Sequence, residues 1–428
     1  MRSKFPWIES VPEKWETLKV LNCLSMRITD GPHTTPELFD DGVPFVSAEA
    51  VSMGKGSINF SHIRGFVSEE FYEECCAKYI PQKDDIYMIK SGATTGKVAI
   101  VDTDRVFTIW SPLAVFRCNT SVSIPRFLFY SLQADYFQKQ ISQNWSFGTQ
   151  QNIGMRVLEQ LRVVMPPLSE QLTIVRFLDI KCSQINSILE RTRISIREYK
   201  KLKQSVISEA VTKGIQKSRP TKDSGVEWIG SIPSNWKCKK IKHCFSLRDE
   251  RNYSPMEDVV LLSLYTDIGV FPHGEHEEKG NKAITVDGYK MVHKNDIVVN
   301  IILAWMGAIG ISEYNGVTSP AYDVWMPRES IYPRYFHYLF RTPGIAAECY
   351  KYGRGIMLMR WRTYSDEFKQ ISIPYPPIEE QQEIVNYLDE KCTVIDSLIS
   401  SKESLITELE SYKNSLIFEY VTGKKRLA

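Results

Sequence analysis

The sequence predicts an α+β fold in which two mixed α/β domains are separated by two long antiparallel helices, in a pseudo-two-fold, circular-repeat arrangement. Three observations lead there. The segment "PPLSEQLTIVRFLDIKC" (residues 166–182) returns as "PPIEEQQEIVNYLDEKC" (376–392), identical at ten of seventeen positions and offset by 210. A second segment, "WIESVPEKW" (7–15), returns as "WIGSIPSNW" (228–236), offset by 221. Between these anchors lie variable regions whose halves echo each other only loosely, as "DDIYMIKSGATTGKVAI" (84–100) does with "NDIVVNIILAWMGAIGI" (295–311). Self-similarity over half a chain reads as duplication. It divides the 428 residues into a first variable domain (1–165), a spacer helix with its linker (166–220), a second variable domain (221–375) and a final spacer helix (376–428).

The repeated segments read as helices because apolar or tolerated positions recur at alternating spacings of three and four. These are Val175, Leu178, Cys182, Ile185, Leu189, Thr192, Ile196 and Tyr199 in one copy, and Val385, Leu388, Cys392, Ile395, Ile399, Lys402, Ile406 and Leu409 in the other. A Pro-Pro pair sets each start, Glu170 and Glu379, Glu380 and Glu383 suit the positive helix start, and Gly214 and Gly423 supply the stops. Each helix should run for roughly 45 residues, about 65 Å. A single helix cannot bury such a seam, so the other copy is its natural partner; the plainer alternative packs each helix on its own domain. The linkers from Val211 to Trp228 and, across joined termini, from Val421 to Trp7 nearly match in length. The chain thus behaves as a circular repeat cut once, which predicts antiparallel helices with a domain at each end, a dumbbell.

The variable regions alternate short apolar runs with Gly, Asp and Asn turns and carry helical stretches near 125–140 and 333–352, as in α+β domains with curved mixed sheets. The longest apolar run, 298–311, holds Asn300, Gly307 and Gly310; it is too short to span a bilayer and reads as a buried hairpin. The N-terminus lacks an apolar leader core, and nine cysteines without a C-x-x-C pair indicate neither a disulfide framework nor a zinc site, which suits a reducing cytoplasm. With a net charge of +2, any binding of nucleic acid must come from local patches.

Four loops offer such patches. "ITDGPHTTP" (28–36) presents Thr34 and Thr35. "KSGATTGK" (90–97) combines two glycines with Lys90, Thr94, Thr95 and Lys97, so that backbone amides and ammonium groups can approach phosphate. "SFGTQQNIG" (146–154) carries Thr149 and the amides of Gln150, Gln151 and Asn152, which can read adenine bidentately. In the second half, "YGRGIMLMRWR" (352–362) offers Arg354, Arg360 and Arg362 for phosphate or guanine, and Trp305 stands where the first half has Thr94. Each loop also reads as an ordinary solvated turn, and it is recurrence at matching places that favours contact.

Catalytic patterns are lacking. Residues 92–98 follow G-x-x-x-G-K-V, one residue short of a phosphate loop and without its Ser or Thr. "MPPL" and "YPPI" are not the Asn/Asp-Pro-Pro-aromatic motif of amino-methyltransferases, and "HGEHEE" (273–278) lacks metal-site spacing and reads as a solvated loop.

The twin "PP-x-x-EQ-x-x-IV-x-x-LD-x-KC" segments, the twin "WI-x-S-[VI]-P-x-x-W" segments, "ITDGPHTTPELFDDGVPFVS", "SGATTGKVAIVD" and "SFGTQQNIGMRVLEQLRVVMPP" together resemble the specificity subunits of Type I restriction-modification enzymes. The resemblance spans nearly the whole chain. It implies that each variable region is a target recognition domain reading one half of a split double-stranded DNA sequence, with the helices as a ruler. The implied partners are two modification (methyltransferase) subunits, which bring S-adenosylmethionine, and restriction/translocase subunits, which bring ATP and Mg chemistry. This chain would then carry no cofactor, metal or catalytic residue, have no membrane association, and work in a bacterial or archaeal cytoplasm. Divergence of Gln150, Gln151 and Asn152 against Gly355, Ile356 and Met357 predicts unlike half-sites and an asymmetric target. A self-sufficient DNA methyltransferase or nuclease, and a coiled-coil scaffold that binds only protein, are the competing readings.

Overall fold

The computed structural model describes residues 8, 10–147, 150–216, 218–266, 268–274, 285–328, 331–355 and 361–427. The chain forms two compact units, one of Met1–Thr192 with Ser404–Ala428 and one of Arg193–Glu403. The division falls inside two continuous helices, Leu168–Lys213 of 46 residues and Ile378–Val421 of 44. At 1.5 Å per residue these are about 69 and 66 Å long. Gly214 and Gly423 end them at φ +75° and +73°, the left-handed region that a residue without Cβ adopts at least cost.

In each unit the two helix segments pack antiparallel. In the first, the rings of Phe177 and Tyr420 lie 4.5 Å apart and Lys413 Nζ donates to Asn186 Oδ1 at 2.9 Å, so position rises on one helix as it falls on the other. In the second, Lys203 Nζ meets Asp396 at 2.6 Å, and Lys402 lies over the Tyr199 ring at 5.7 Å. Most of the predicted seam is buried: Val175, Leu178, Cys182, Ile185, Leu189, Thr192 and Ile196 on one helix and Val385, Leu388, Cys392, Ile395 and Ile399 on the other, while Tyr199, Lys402, Ile406 and Leu409 are half-buried.

Each unit closes its domain in the same way. In the first, strand Glu16–Lys19 pairs antiparallel with Arg162–Met165, tying the start of the domain to the residues just before the long helix. In the second, Lys237–Lys240 pairs with Ser372–Tyr375. The central sheets are four-stranded and antiparallel. Their orders are Thr29–Asp30, Leu113–Phe116, Ile86–Ile89, Val98–Ile100 in the first unit and Phe245–Leu247, Tyr322–Pro327, Ile297–Asn300, Ile309–Ile311 in the second. The apolar run at 298–311 is therefore a hairpin in a sheet, with Ile297 opposite Ile311. Helices Pro125–Gln133 and Asp135–Asn144 follow the first sheet, and Pro333–Phe340 and Pro343–Tyr352 the second. The first unit adds a three-stranded sheet containing one parallel pair, Val43–Val46 with Thr108–Ile109.

The two repeated motifs meet. Trp15 Nε1 donates to Glu170 Oε2 at 2.9 Å in the first unit, and Trp236 Nε1 to Glu380 Oε2 at 2.6 Å in the second. The far helix ends on the same tryptophan: a Cβ on Gly423 would come within 3.1 Å of the Trp15 ring, and one on Gly214 within 3.3 Å of the Trp236 ring. The neighbouring glutamine is fully buried in both copies. Gln171 accepts from Ile124 N at 2.8 Å and donates to Pro166 O at 2.8 Å; Gln381 accepts from Tyr332 N and donates to Pro376 O, both at 2.9 Å. One helical stretch further, Tyr130 Oη and Arg126 Nε both donate to Asp179, and Tyr338 Oη and Arg334 to Asp389. In "PP-x-x-EQ…LD" the Glu, Gln and Asp are therefore the groups that hold the domain, while the apolar letters form the seam.

Removing a buried partner leaves amide groups unpaired, at a cost of about 1–3 kcal/mol. Gln381→Ala should therefore lower stability to chemical denaturation by about that much, whereas Gln382→Ala, exposed next door, should change it by less than about 0.5 kcal/mol. Equal effects of the two substitutions would show that the glutamine does not anchor the domain.

Candidate nucleic-acid interface

In the first unit, strand Ile86–Ile89 runs into the turn at 90–97, and this turn is joined to a hairpin far away in sequence. Gln151–Asn152 pairs with Ser146–Phe147, Ser91 bridges to Asn152, Gly92 N donates to Gln151 O at 2.9 Å and Ile153 N to Lys90 O at 2.9 Å. Two of the predicted loops thus form one ridge. Gly96 stands at φ +93°, and a Cβ there would lie 2.4 Å from Gln138 Oε1, while Gln138 Nε2 donates to Gly96 O at 2.9 Å. On this ridge Lys97, Gln150 and Asn152 are exposed and Thr94, Thr95 and Gln151 half-buried; Thr149 lies outside the described residues.

The third loop is brought in by a buried acid. Asp30, only 1% exposed, sits on the strand beside Leu113–Phe116. Lys78 Nζ lies 2.5 Å from its Oδ1, Lys90 Nζ 3.3 Å and His33 Nε2 3.2 Å from its Oδ2. Burial pushes the Asp30 carboxyl up, but Lys78 and Lys90 together outweigh this and hold it below the usual carboxylate range. Thr34 and Thr35 follow on an exposed stretch.

This changes the role expected of two residues. Lys90 is 13% exposed and engaged with Asp30, so its ammonium is an internal strut, and Lys97 is the exposed cation of the turn. Thr95 Oγ1 donates to Gly92 O at 2.7 Å, bracing the turn from within. Lys78 was not among the expected residues, whereas His33 belongs to the loop expected to make contact. No local pattern marks Lys78, because its partner is 48 positions away.

The second unit repeats this backbone with other side chains. Asn300 N donates to Ala308 O at 3.1 Å as Ile89 N does to Lys97 O at 2.9 Å, and Thr363 N donates to Ile301 O at 2.9 Å as Ile153 N does to Lys90 O. The turn at 301–308 is the counterpart of 90–97, and Gly307 at φ +88° stands for Gly96. Arg354 and Arg362 form a mutual bridge, with N to O distances of 2.9 and 3.0 Å. Since Ile153 matches Thr363, Asn152 matches Arg362, and this corrects the expected pairing of Asn152 with Met357. The Ser146–Asn152 pair encloses five residues and the Arg354–Arg362 pair seven, so the second loop is longer by two, which a gapless comparison cannot reveal.

Trp305 is half-buried in a 3-10 turn, Ala304–Met306; its Nε1 donates to Ile302 O at 3.0 Å and its ring lies 6.0 Å from that of Tyr350. Tyr350 in turn stacks on Trp361 at 5.1 Å and 22°. Trp305 therefore buttresses the turn. Arg354 and Arg362 are exposed, with Arg354 held at 3.1 Å by Glu367 and over the Tyr364 ring at 5.0 Å. Arg360 lies outside the described residues, as does most of the His-rich loop after Gly274. Among the described residues no helix is long and apolar enough to cross a membrane.

The family model for the Type I restriction modification DNA specificity domain matches residues 12–197 and again 233–411. The specificity subunit of the type I restriction enzyme MjaVIII from Methanocaldococcus jannaschii is 21% identical over an alignment of 437 residues, covering 97% of this chain and 94% of that protein. A solved chain from work on assembly and conformational transition of the type I R-M system aligns over 97% of this chain and 100% of its own, with a TM-score of 0.69 and 14% identity. The HsdS subunit from Thermoanaerobacter tengcongensis aligns over 98% and 99%, with a TM-score of 0.51 and 16% identity. At those identities the structural likeness concerns the fold.

The Asp30 carboxyl, held low in the folded state, stabilises the first unit above its ordinary value of 3.8, and this contribution is lost as pH falls through the lowered value. Asp30→Asn should unfold at lower denaturant than the parent at neutral pH, and the difference should shrink below about pH 4. A difference independent of pH would refute the strut.

Proposed function

This chain belongs to the Type I restriction modification DNA specificity family, and we propose that it is the DNA-recognition subunit of such an enzyme, with each unit reading one half of an asymmetric, bipartite duplex target. The observation that carries this reading is the recurrence of one backbone ridge with unlike chemistry. In the first unit the ridge offers amides, hydroxyls and Lys97; in the second it offers guanidinium and apolar groups. A shared scaffold with different side chains is what reading two different half-sites requires, since base edges are distinguished by donor, acceptor and methyl patterns. Residues 1–165 and 221–375 are the proposed recognition domains, and 166–220 and 376–428 the spacers.

The long helices are proposed to fix the spacing and phase of the half-sites, supported by their continuity and by the Trp, Gln and Asp anchors that leave each domain little freedom on its helix ends. Their outward residues suit partner subunits: Ile180, Ile188, Leu202 and Val394 are 59, 46, 48 and 54% exposed, and Leu172, Ile194, Leu398 and Leu405 are exposed as well. Two modification subunits would supply S-adenosylmethionine and the transfer of the methyl group to a flipped base, and restriction subunits the ATP- and Mg-dependent steps. The chain itself then recognises without catalysing, in a bacterial or archaeal cytoplasm.

Four residues add about 6 Å and about 40° to a helix. Inserting four residues into both helices at matched positions should change the length of the unread gap or abolish specific binding, as measured by protection of target duplexes with varied gaps. Unchanged gap preference would remove the ruler.

A further inference from the structure

The turn at 301–308 has lost nearly every side chain able to hydrogen-bond to a base. Asn300, at its base, uses Oδ1 to accept from Ile302 N at 3.0 Å and Leu303 N at 3.3 Å. The indole N–H of Trp305 is spent on Ile302 O, and Ala304 is buried. What the turn presents is apolar: Leu303 is 37% and Met306 55% exposed, and nothing stands within 4 Å of where a Cβ on Gly307 would be. In the equivalent turn of the first unit Gly92 and Thr95 stand at the places of Leu303 and Met306, and Thr94 and Lys97 at those of Trp305 and Ala308. Exposed Leu and Met held on a braced turn, on a ridge with exposed Arg354 and Arg362, form an apolar contact set in a polar frame.

We propose that the second unit reads thymine by its C5-methyl group in the major groove, through Leu303 and Met306. Thymine is the only base that presents an apolar group at its major-groove edge, and this turn has only apolar groups to give. Trp305, packed at a tilt on Tyr350, which stacks on Trp361, braces the turn from behind. Exposed Arg362 remains for phosphate or guanine beside it, which also argues for a duplex over an apolar protein surface. The proposal rests on the DNA-recognition reading above.

The test uses the full chain assembled with its modification subunit, and duplexes bearing the sequence which that complex methylates. Competition against a scrambled duplex comes first; no preference for the target would overturn both this proposal and the recognition reading. With that preference in hand, 2′-deoxyuridine replaces thymidine in one half-site at a time. In one half, binding should weaken about three- to fivefold for each contacted methyl, and Met306→Ala with Leu303→Ala should abolish that sensitivity while the scrambled duplex still loses. Met306 and Leu303 are exposed, so their truncation leaves the core intact. A target still preferred but indifferent to deoxyuridine in both halves, or a sensitivity undiminished in the double variant, would overturn the proposal alone.

Discussion

A hydrogen bond from an indole to a glutamate, made twice, holds each domain to its helices. Trp15 and Trp236 are buried, and a buried indole N–H needs an acceptor. Glu170 and Glu380 provide it from the first turn of the helix that leaves the domain, and the glycine ending the other helix lies against the same ring. In the second unit Arg219 also reaches Glu380 at 2.7 Å, and Asn235 at 2.5 Å; burial raises this carboxyl, but these partners and the indole keep it below the usual range. Arg219, Asn235 and Trp236, which lie 161, 145 and 144 residues from Glu380, thus share its carboxylate. The separations differ, 155 residues from Trp15 to Glu170 and 144 from Trp236 to Glu380, so the second domain reaches the same closure with a shorter loop.

That difference explains why the two repeats have different offsets, 221 for the tryptophan motif and 210 for the helix motif. Insertions and deletions accumulate within a domain, where loops can absorb them, and not at its closure, where the anchors fix the path. The ridges obey the same logic. Strand ladders and the left-handed glycines Gly96 and Gly307 set the backbone of both turns, and side chains on that backbone are free to differ. Thr94, Thr95 and Lys97 can become Trp305, Met306 and Ala308 without a change of fold.

The helices, their seam and their stops were legible in the sequence because helical periodicity is local and the duplication supplied a second copy to compare. The antiparallel pairing followed from the linkers. The recurrence of the anchoring motifs was visible, but not that they touch, since a contact across 155 residues leaves no local mark. For the same reason Lys90 reads as an exposed cation beside glycines, although Asp30, on a neighbouring strand, takes it inward. The match of Asn152 to Arg362 needed the backbone bonds, because the stretch between the bridged residues is two residues longer in the second unit.

Two anchored domains with one backbone ridge and two chemistries lead to a definite expectation for the DNA. The most direct measurement is the methylome of cells expressing this chain with its modification subunit. The account predicts one target made of two unlike half-sites separated by an unread gap of constant length. A continuous site, a palindromic one, or a gap that varies from site to site would contradict it.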